Sequence, residues 1–276
     1  MAKFIVPTDF SDTSKNAAEF AIKMAGDLHS AEVILYNCFD KVAAGSDGTP
    51  LTDESDTRMQ ITMMALENLK DRLDGHNWVK IRTLGEEGPL VTNLEKLVQK
   101  ENPDIVVMGI NGATRIEQIL IGSNTLGLIN RSFVPIMIIP PDARYRKIRK
   151  VIYASDMNNV ELTTPVGTLR NVLDIFGPKL MIAHVSHDYY LEVTPALKAE
   201  RKKLDQLLDG FEAEYHYLPW ADFTESINRF AEENEADLVI TVPRKHSFVN
   251  KIFTTSHTKK LAYHSHLPVL ALPEAR

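Results

Sequence analysis

Residues 104–125 read DIVVMGINGATRIEQILIGSNT. The apolar run from Ile105 to Met108 predicts a buried parallel strand that ends at Gly109. Gly112 follows after a two-residue gap, and Gly122–Ser123 follows after nine more residues. This spacing predicts a loop with a short helical segment at 115–121 and a helix from about 123 to 131. The whole stretch therefore predicts a strand that opens into a glycine-rich loop.

The glycines of this loop favour an anion site. Because glycine has no side chain, the backbone N–H groups at Gly109, Gly112 and Gly122 can approach a phosphate closely. Ser123 lies where a helix would present free N–H donors and the positive end of its dipole. The pattern is neither a Walker loop nor a G-x-G-x-x-G fingerprint. An ordinary strand-to-helix turn with turn glycines remains the alternative.

The composition limits the class of protein. With 276 residues, 44% of them apolar and 25% charged, the chain predicts one large or two medium globular domains. The net charge of −6 argues against a general nucleic-acid binder. No apolar run approaches the roughly 20 residues of a membrane span, and the start of the chain lacks the pattern of a signal peptide. A single cysteine, Cys38, rules out an internal disulfide framework, so a cytoplasmic location is expected.

Strands and helices alternate through the first half of the chain. This alternation is typical of right-handed βαβ units with a parallel sheet. Ser11 is predicted to cap the first helix. The predicted strands are 3–9, 33–38, 79–84, 105–109 and 134–139, and the predicted helices follow Ser11 and cover 56–73 and 89–99.

The pattern then restarts. KFIVPTD at Lys3–Asp9 returns 147 positions later as KVIYASD at Lys150–Asp156, and VILYNC at 33–38 returns at the same offset as LMIAHV. Nearer the end the offset is 133: residues 237–241 repeat the pattern of 104–108, and residues 267–273 repeat that of 134–140. A period this long indicates duplication of a whole domain rather than a solenoid. We predict two tandem domains, at 1–141 and 150–276, joined by a charged connector.

The second copy lacks the glycine loop. At the offset of 133, Val242, Lys245 and Thr255 replace the three glycines, and only the serine persists, as Ser256. Side chains and Pro243 obstruct close backbone approach. We therefore expect one nucleotide site and one degenerate copy.

The motifs PTDFS at 7–11 and G-x2-G-x9-G-S from Gly109 to Ser123 resemble those of the universal stress protein family. The resemblance covers both halves and is weaker in the second. It implies two doubly wound α/β domains, each with a five-stranded parallel sheet of the adenine nucleotide alpha hydrolase type. It also implies that the apolar fifth strands, 134–139 and 269–272, pair as an intramolecular pseudo-dimer, which would cover edges that otherwise aggregate.

The resemblance also implies the residues of an ATP site. Asp9 at the end of the first strand would contact adenine, Cys38 or its neighbours would line the base pocket, and the loop would hold ribose and phosphates. Asp9 is alternatively a helix-entry residue, Ser123 only an N-cap, and Cys38 a small buried hydrophobe. The expected binding residues are Pro7, Thr8, Asp9, Cys38, Met108, Gly109, Gly112, Gly122, Ser123 and Asn124.

The leading hypothesis is a regulatory protein that binds ATP, with or without Mg²⁺, and acts on an unidentified protein partner. No catalytic constellation stands out, so at most slow ATP hydrolysis or autophosphorylation is expected. A weak nucleotide hydrolase or phosphotransferase and a ligand-free dimerisation scaffold are the alternatives. A homodimer also stays open. Four histidines of the second half lack clustered cysteines or acids, so no metal site is expected; they are His246, His257, His264 and His266.

Overall fold

A computed structural model describes residues 1–28, 30–39, 52–73, 79–110, 134–186, 193–219, 223–243 and 266–275. The chain divides into two compact units, Met1–Gly109 and Ile110–Arg276. Within the described ranges, no helix combines the length and hydrophobicity that a membrane span requires.

Unit 1 is a parallel sheet with helices. Its strands pair in the order β3-β2-β1-β4, so the chain leaves β1 toward β2 and later returns to the other side of β1 with β4. Ligands of doubly wound sheets bind where the strand order reverses in this way. The strands are β1 (Ala2–Pro7), β2 (Ala31–Phe39), β3 (Val79–Glu87) and β4 (Ile105–Gly109), and the helices are α1 (Asp12–Gly26), α2 (Thr52–Leu73) and α3 (Leu90–Glu101).

The elements of unit 1 confirm the predicted strands and helices, with shifted boundaries. Helix α2 begins at Thr52 rather than 56, and β3 continues to Glu87 rather than ending at 84. Ser11 is the N-cap of α1, as predicted, and its hydroxyl accepts from the Ser14 amide at 3.3 Å. The buried face of α1 is rich in alanine, including Ala17 and Ala21, which lets the helix lie close to the sheet.

Unit 2 contains a six-stranded sheet in the order β5-β10-β9-β6-β7-β8. Thr164 and Pro165 separate its first two helices, because proline lacks the N–H that a continuous helix needs. The strands are β5 (Ile136–Ile139), β6 (Lys150–Ala154), β7 (Lys179–Ser186), β8 (Ala213–Pro219), β9 (Leu238–Thr241) and β10 (Val269–Ala271), and the helices are α4 (Val160–Thr163), α5 (Val166–Phe176), α6 (Pro195–Leu207) and α7 (Phe223–Glu233).

Strand pairing repeats in register between the two copies. Lys3 lies opposite Glu32 in the β1–β2 pair, and Lys150 lies opposite Lys179 in the β6–β7 pair. Both positions are related by the offset of 147 found in the sequence. The β1–β4 and β6–β9 pairs also match, since Phe4 faces Ile105 and Val151 faces Leu238. The sequence offsets thus describe structurally equivalent positions.

The two fifth strands pair with each other. Strand β5, from the first sequence copy, runs antiparallel to β10, with Met137 opposite Leu270. Both side chains are fully buried. This confirms the predicted pairing of apolar edges, and it places β5 in unit 2. The limits 1–141 and 150–276 of the sequence-defined domains remain a prediction.

Candidate functional site

The carboxyl end of β1 forms a compact hydrogen-bonded loop. Thr8 continues the ladder to β2, since its amide donates to the Tyr36 carbonyl at 2.8 Å. The Thr8 hydroxyl accepts from the Phe10 amide at 3.0 Å and shares a 3.0 Å hydrogen bond with the Ser14 hydroxyl. Phe10 has a φ of 61°, in the left-handed region, which turns the chain into α1. The loop therefore fixes Asp9 at the edge of the sheet where the strand order reverses.

Asp9 is an exposed carboxylate held by its own loop. Its Oδ1 atom accepts from the Ser11 amide at 3.0 Å and from the Ser11 hydroxyl at 2.5 Å. Partial burial raises the pKa of Asp9, but hydrogen bonds from the Ser11 and Ser14 side chains and from the Ser11 amide outweigh it, so the pKa is lowered. At neutral pH the loop therefore presents a negative hydrogen-bond acceptor.

Gly109, at the end of β4, lies against the first turn of α1. A Cβ atom at this position would lie 2.4 Å from the Thr13 carbonyl oxygen and 2.7 Å from its carbon. Both are backbone atoms that no rotamer change can move. Packing therefore requires a glycine here, independently of any phosphate. Met108, one residue earlier, is buried.

Cys38 differs from the predicted buried hydrophobe. Its side chain is only partly buried, and its thiol donates to the Tyr36 hydroxyl at 3.1 Å. Tyr36 in turn donates to Glu86. Burial raises the pKa of the Cys38 thiol more than the side-chain hydrogen bonds with Tyr36 and Asn93 lower it. The protonated thiol is a poor nucleophile.

Asn37 is a residue that the sequence reasoning missed. Its side-chain Nδ2 donates to the Thr8 carbonyl at 2.7 Å, and the hydrogen bond is buried. A signal was present, because VILYNC and LMIAHV both interrupt an apolar strand with a polar residue at the same place. His184 occupies this place in the second copy.

The second copy builds the same loop but covers it. The Met157 amide donates to the Ser155 hydroxyl at 3.1 Å, and the Asn158 amide donates to Asp156 Oδ1 at 3.2 Å. Met157 repeats the left-handed φ, at 49°. However, Asp156 is only 6% exposed, whereas Asp9 is open to solvent. The carboxylate is thus present in both copies and accessible only in the first.

The rest of the second crevice is also changed. Val242, at the position equivalent to Gly109, is buried, and Pro243 follows it. The helix equivalent to α1 is broken between α4 and α5. Its first amide, at Val160, is occupied by the Glu200 carboxylate of α6 at 2.8 Å. The close packing of a glycine against a helix, seen between Gly109 and α1, therefore does not recur at Val242.

Part of the predicted site lies outside the described residues. This applies to Gly112, Gly122, Ser123 and Asn124, and in the second copy to Lys245, Thr255 and Ser256. The structure brings the other predicted residues to the carboxyl ends of three neighbouring strands, β1, β2 and β4. They are Pro7, Thr8, Asp9, Cys38, Met108 and Gly109.

Among the residues that the structure describes, no group of three or more His, Cys, Asp or Glu side chains is placed to hold a metal ion. Of the four histidines named from the sequence, only His266 lies in the described part of the chain. Its Nδ1 is 2.8 Å from Asp142 Oδ2 at an exposed position.

Comparison with known proteins identifies the family. A sequence model described as the universal stress protein family matches residues 1–140 and 171–273. Universal stress protein MJ0577 of Methanocaldococcus jannaschii is 28% identical over an alignment of 153 residues that covers 50% of this chain and 93% of that protein. MJ0531 of the same organism is 28% identical over an alignment of 144 residues that covers 50% of this chain and 81% of that protein.

A solved structure also covers both halves. The crystal structure of a universal stress protein from Archaeoglobus fulgidus matches with a TM-score of 0.73 and 19% identity, and the match covers 98% of each chain. At this identity the likeness concerns the fold alone. The two segments matched by the family model, by contrast, span most of the sequence and agree with the duplication. The chain belongs to the universal stress protein family.

Proposed function

We propose that the protein is a regulatory nucleotide-binding protein that holds ATP, with or without Mg²⁺, in its first copy. The observation that carries the proposal is the asymmetry at the carboxyl ends of β1 and β6. The same loop presents an open carboxylate at Asp9 and a covered one at Asp156. The open copy is also the one whose fourth strand leads into the glycine motif.

The chemistry of the open copy suits an adenine nucleotide. The ionised Asp9 is an acceptor for the amino hydrogens of adenine, and it lies beside the strand-order reversal where nucleotides bind in doubly wound sheets. Triphosphates need donors, and the glycine loop offers backbone amides. In this proposal the nucleotide contacts Pro7, Thr8, Asp9, Cys38, Met108, Gly109, Gly112, Gly122, Ser123 and Asn124.

In this proposal, binding of ATP to the glycine loop regulates the interaction with a protein partner. ATP bound by its phosphates to the segment from Gly109 to Ser123 alters the surface that this part of the chain offers to a protein partner. The chain then acts as a nucleotide-dependent binding protein rather than as an enzyme.

A matched pair of variants tests the proposal. Isothermal titration of the purified full chain with ATP should detect one site. Asp9→Asn should weaken binding, because the amide replaces one acceptor with a donor, and the doubly substituted Gly112→Val/Gly122→Val protein should abolish it. Asp156→Asn, the same change in the covered loop, should leave the ATP affinity unaltered.

Three outcomes would overturn the proposal. One is no heat and no thermal shift at millimolar ATP. Another is a larger loss of affinity in Asp156→Asn than in Asp9→Asn. The third is multiple-turnover release of ADP that disappears in Asp9→Asn, which would identify a nucleotide hydrolase instead.

A further inference from the structure

Both copies fasten the end of their first strand in the same way. In the first copy, Asn37 Nδ2 donates to the Thr8 carbonyl at 2.7 Å. In the second, His184 Nδ1 lies 3.2 Å from the Ser155 carbonyl. A carbonyl oxygen only accepts hydrogen bonds, so Nδ1 of His184 carries the proton. Asparagine and histidine thus make equivalent hydrogen bonds at equivalent places.

The equivalence has a simple stereochemical basis. The donor nitrogen of either side chain is separated from Cα by Cβ and Cγ, so both reach the same distance from the strand. In the first copy the Thr8 amide donates to the Tyr36 carbonyl, and Asn37 is the next residue of the strand. In the second copy the Ser155 amide donates to the Ala183 carbonyl, and His184 is the next residue. We call the side-chain hydrogen bond of Asn37 or His184 to the end of the first strand the clamp. It joins the second strand of each copy to the last carbonyl before the aspartate.

The clamp is buried although Asp9 itself is exposed. Thr8 is 6% and Asn37 8% exposed. A buried carbonyl that loses its donor is not compensated by water, so the loop must open or distort. The residue that follows that carbonyl is Asp9, and the Phe10 and Ser11 amides depend on the same loop conformation.

We infer that Asn37 is a positioning residue, which places the Asp9 carboxylate for the nucleotide by clamping the Thr8 carbonyl without touching the ligand itself. The ligand part of this inference rests on the proposed ATP site. The clamp part does not, because His184 performs it in the copy whose carboxylate is covered.

Three substitutions of Asn37 separate the effect of its hydrogen-bond donor from the effect of its side-chain shape. Asn37→His keeps a donor at the same reach, as the second copy does, and should preserve ATP affinity. Asn37→Leu keeps the branching and removes the donor, and Asn37→Asp replaces the donor with an acceptor that repels the carbonyl. Both should weaken ATP binding roughly tenfold, because an unsatisfied buried acceptor destabilises the loop. The global unfolding midpoint is measured in parallel.

Hydrogen–deuterium exchange of the ligand-free full chain supplies a readout that does not depend on nucleotide. Amides of Phe10 and Ser11 should exchange roughly tenfold faster in Asn37→Leu, and at the wild-type rate in Asn37→His. His184→Leu is the matched control in the second copy. It should speed exchange at Met157 and Asn158 and leave ATP affinity unchanged.

The outcomes are distinguishable. Equal ATP affinity and equal exchange in Asn37→Leu and wild type overturn the clamp. Faster exchange with unchanged ATP affinity overturns the positioning role. A wild-type protein that binds no ATP overturns the proposed function and the ligand part of this inference, while the exchange rates still decide whether the clamp exists.

Discussion

Replacing Gly109 with alanine places a methyl group 2.4 Å from the Thr13 carbonyl oxygen. An ordinary contact between such atoms is about 3.4 Å, so β4 and the first turn of α1 must separate by about 1 Å. Overpacking of this kind costs about 1–3 kcal/mol. Gly109 is not among the glycines with positive φ, so alanine fits the backbone conformation. The predicted loss therefore comes from the contact with α1.

The assay is urea denaturation of the ligand-free protein, followed by circular dichroism. Gly109→Ala should lower the free energy of unfolding of the transition that reports on unit 1. Gly167→Ala is the control, because a Cβ there meets nothing within 4 Å and alanine is a better helix former than glycine, so no loss of stability is expected. Equal stability of Gly109→Ala and wild type would refute the packing argument.

Two further predictions concern charged groups. Glu32 is a buried carboxylate 2.9 Å from Lys80 and 3.4 Å from Arg82. Glu32→Gln should therefore lower the free energy of unfolding in urea by about 1–3 kcal/mol. The Lys179–Glu214 pair is exposed, so Glu214→Gln should change it by less than about 1 kcal/mol; equal losses would contradict the role of burial. Because the pKa of Asp9 is lowered in the folded protein, its ionised carboxylate stabilises the folded state above the ordinary carboxyl pKa of about 3.9. This stabilisation is lost as pH falls through the pKa of the folded state. Urea titrations between pH 7 and 3 should therefore show that the stability difference between wild type and Asp9→Asn shrinks on acidification, and a difference that grows would be inconsistent with the shift.

Strand positions were readable from the sequence because they depend on local apolar runs. Lys3–Asp9 and Lys150–Asp156 share a pattern that identified both first strands, and the two offsets correctly related their neighbours. The pairing of the apolar strands β5 and β10 was expected from the resemblance to the universal stress protein family, and the structure adds that the two strands run antiparallel.

The missing details depend on contacts between distant residues. Asn37 and the Thr8 carbonyl are 29 positions apart, and the local sequence does not reveal that a polar strand residue fastens a loop. The packing role of Gly109 depends on α1 lying above it, which periodicity alone does not report. For Cys38 the sequence left a base-pocket residue and a small buried hydrophobe as alternatives; its hydrogen bond to Tyr36, which in turn donates to Glu86 50 positions along the chain, depends on the pairing of β2 with β3.

The join between β5 and β10 has a consequence for assembly. Since both strands belong to one polypeptide, their encounter is intramolecular, with an effective concentration on the order of millimolar that does not fall on dilution. Two separate subunits would lose this contact at low protein levels and would exchange with other copies. Covalent fusion instead fixes the stoichiometry at one open and one covered loop per molecule, whatever the amount of protein present.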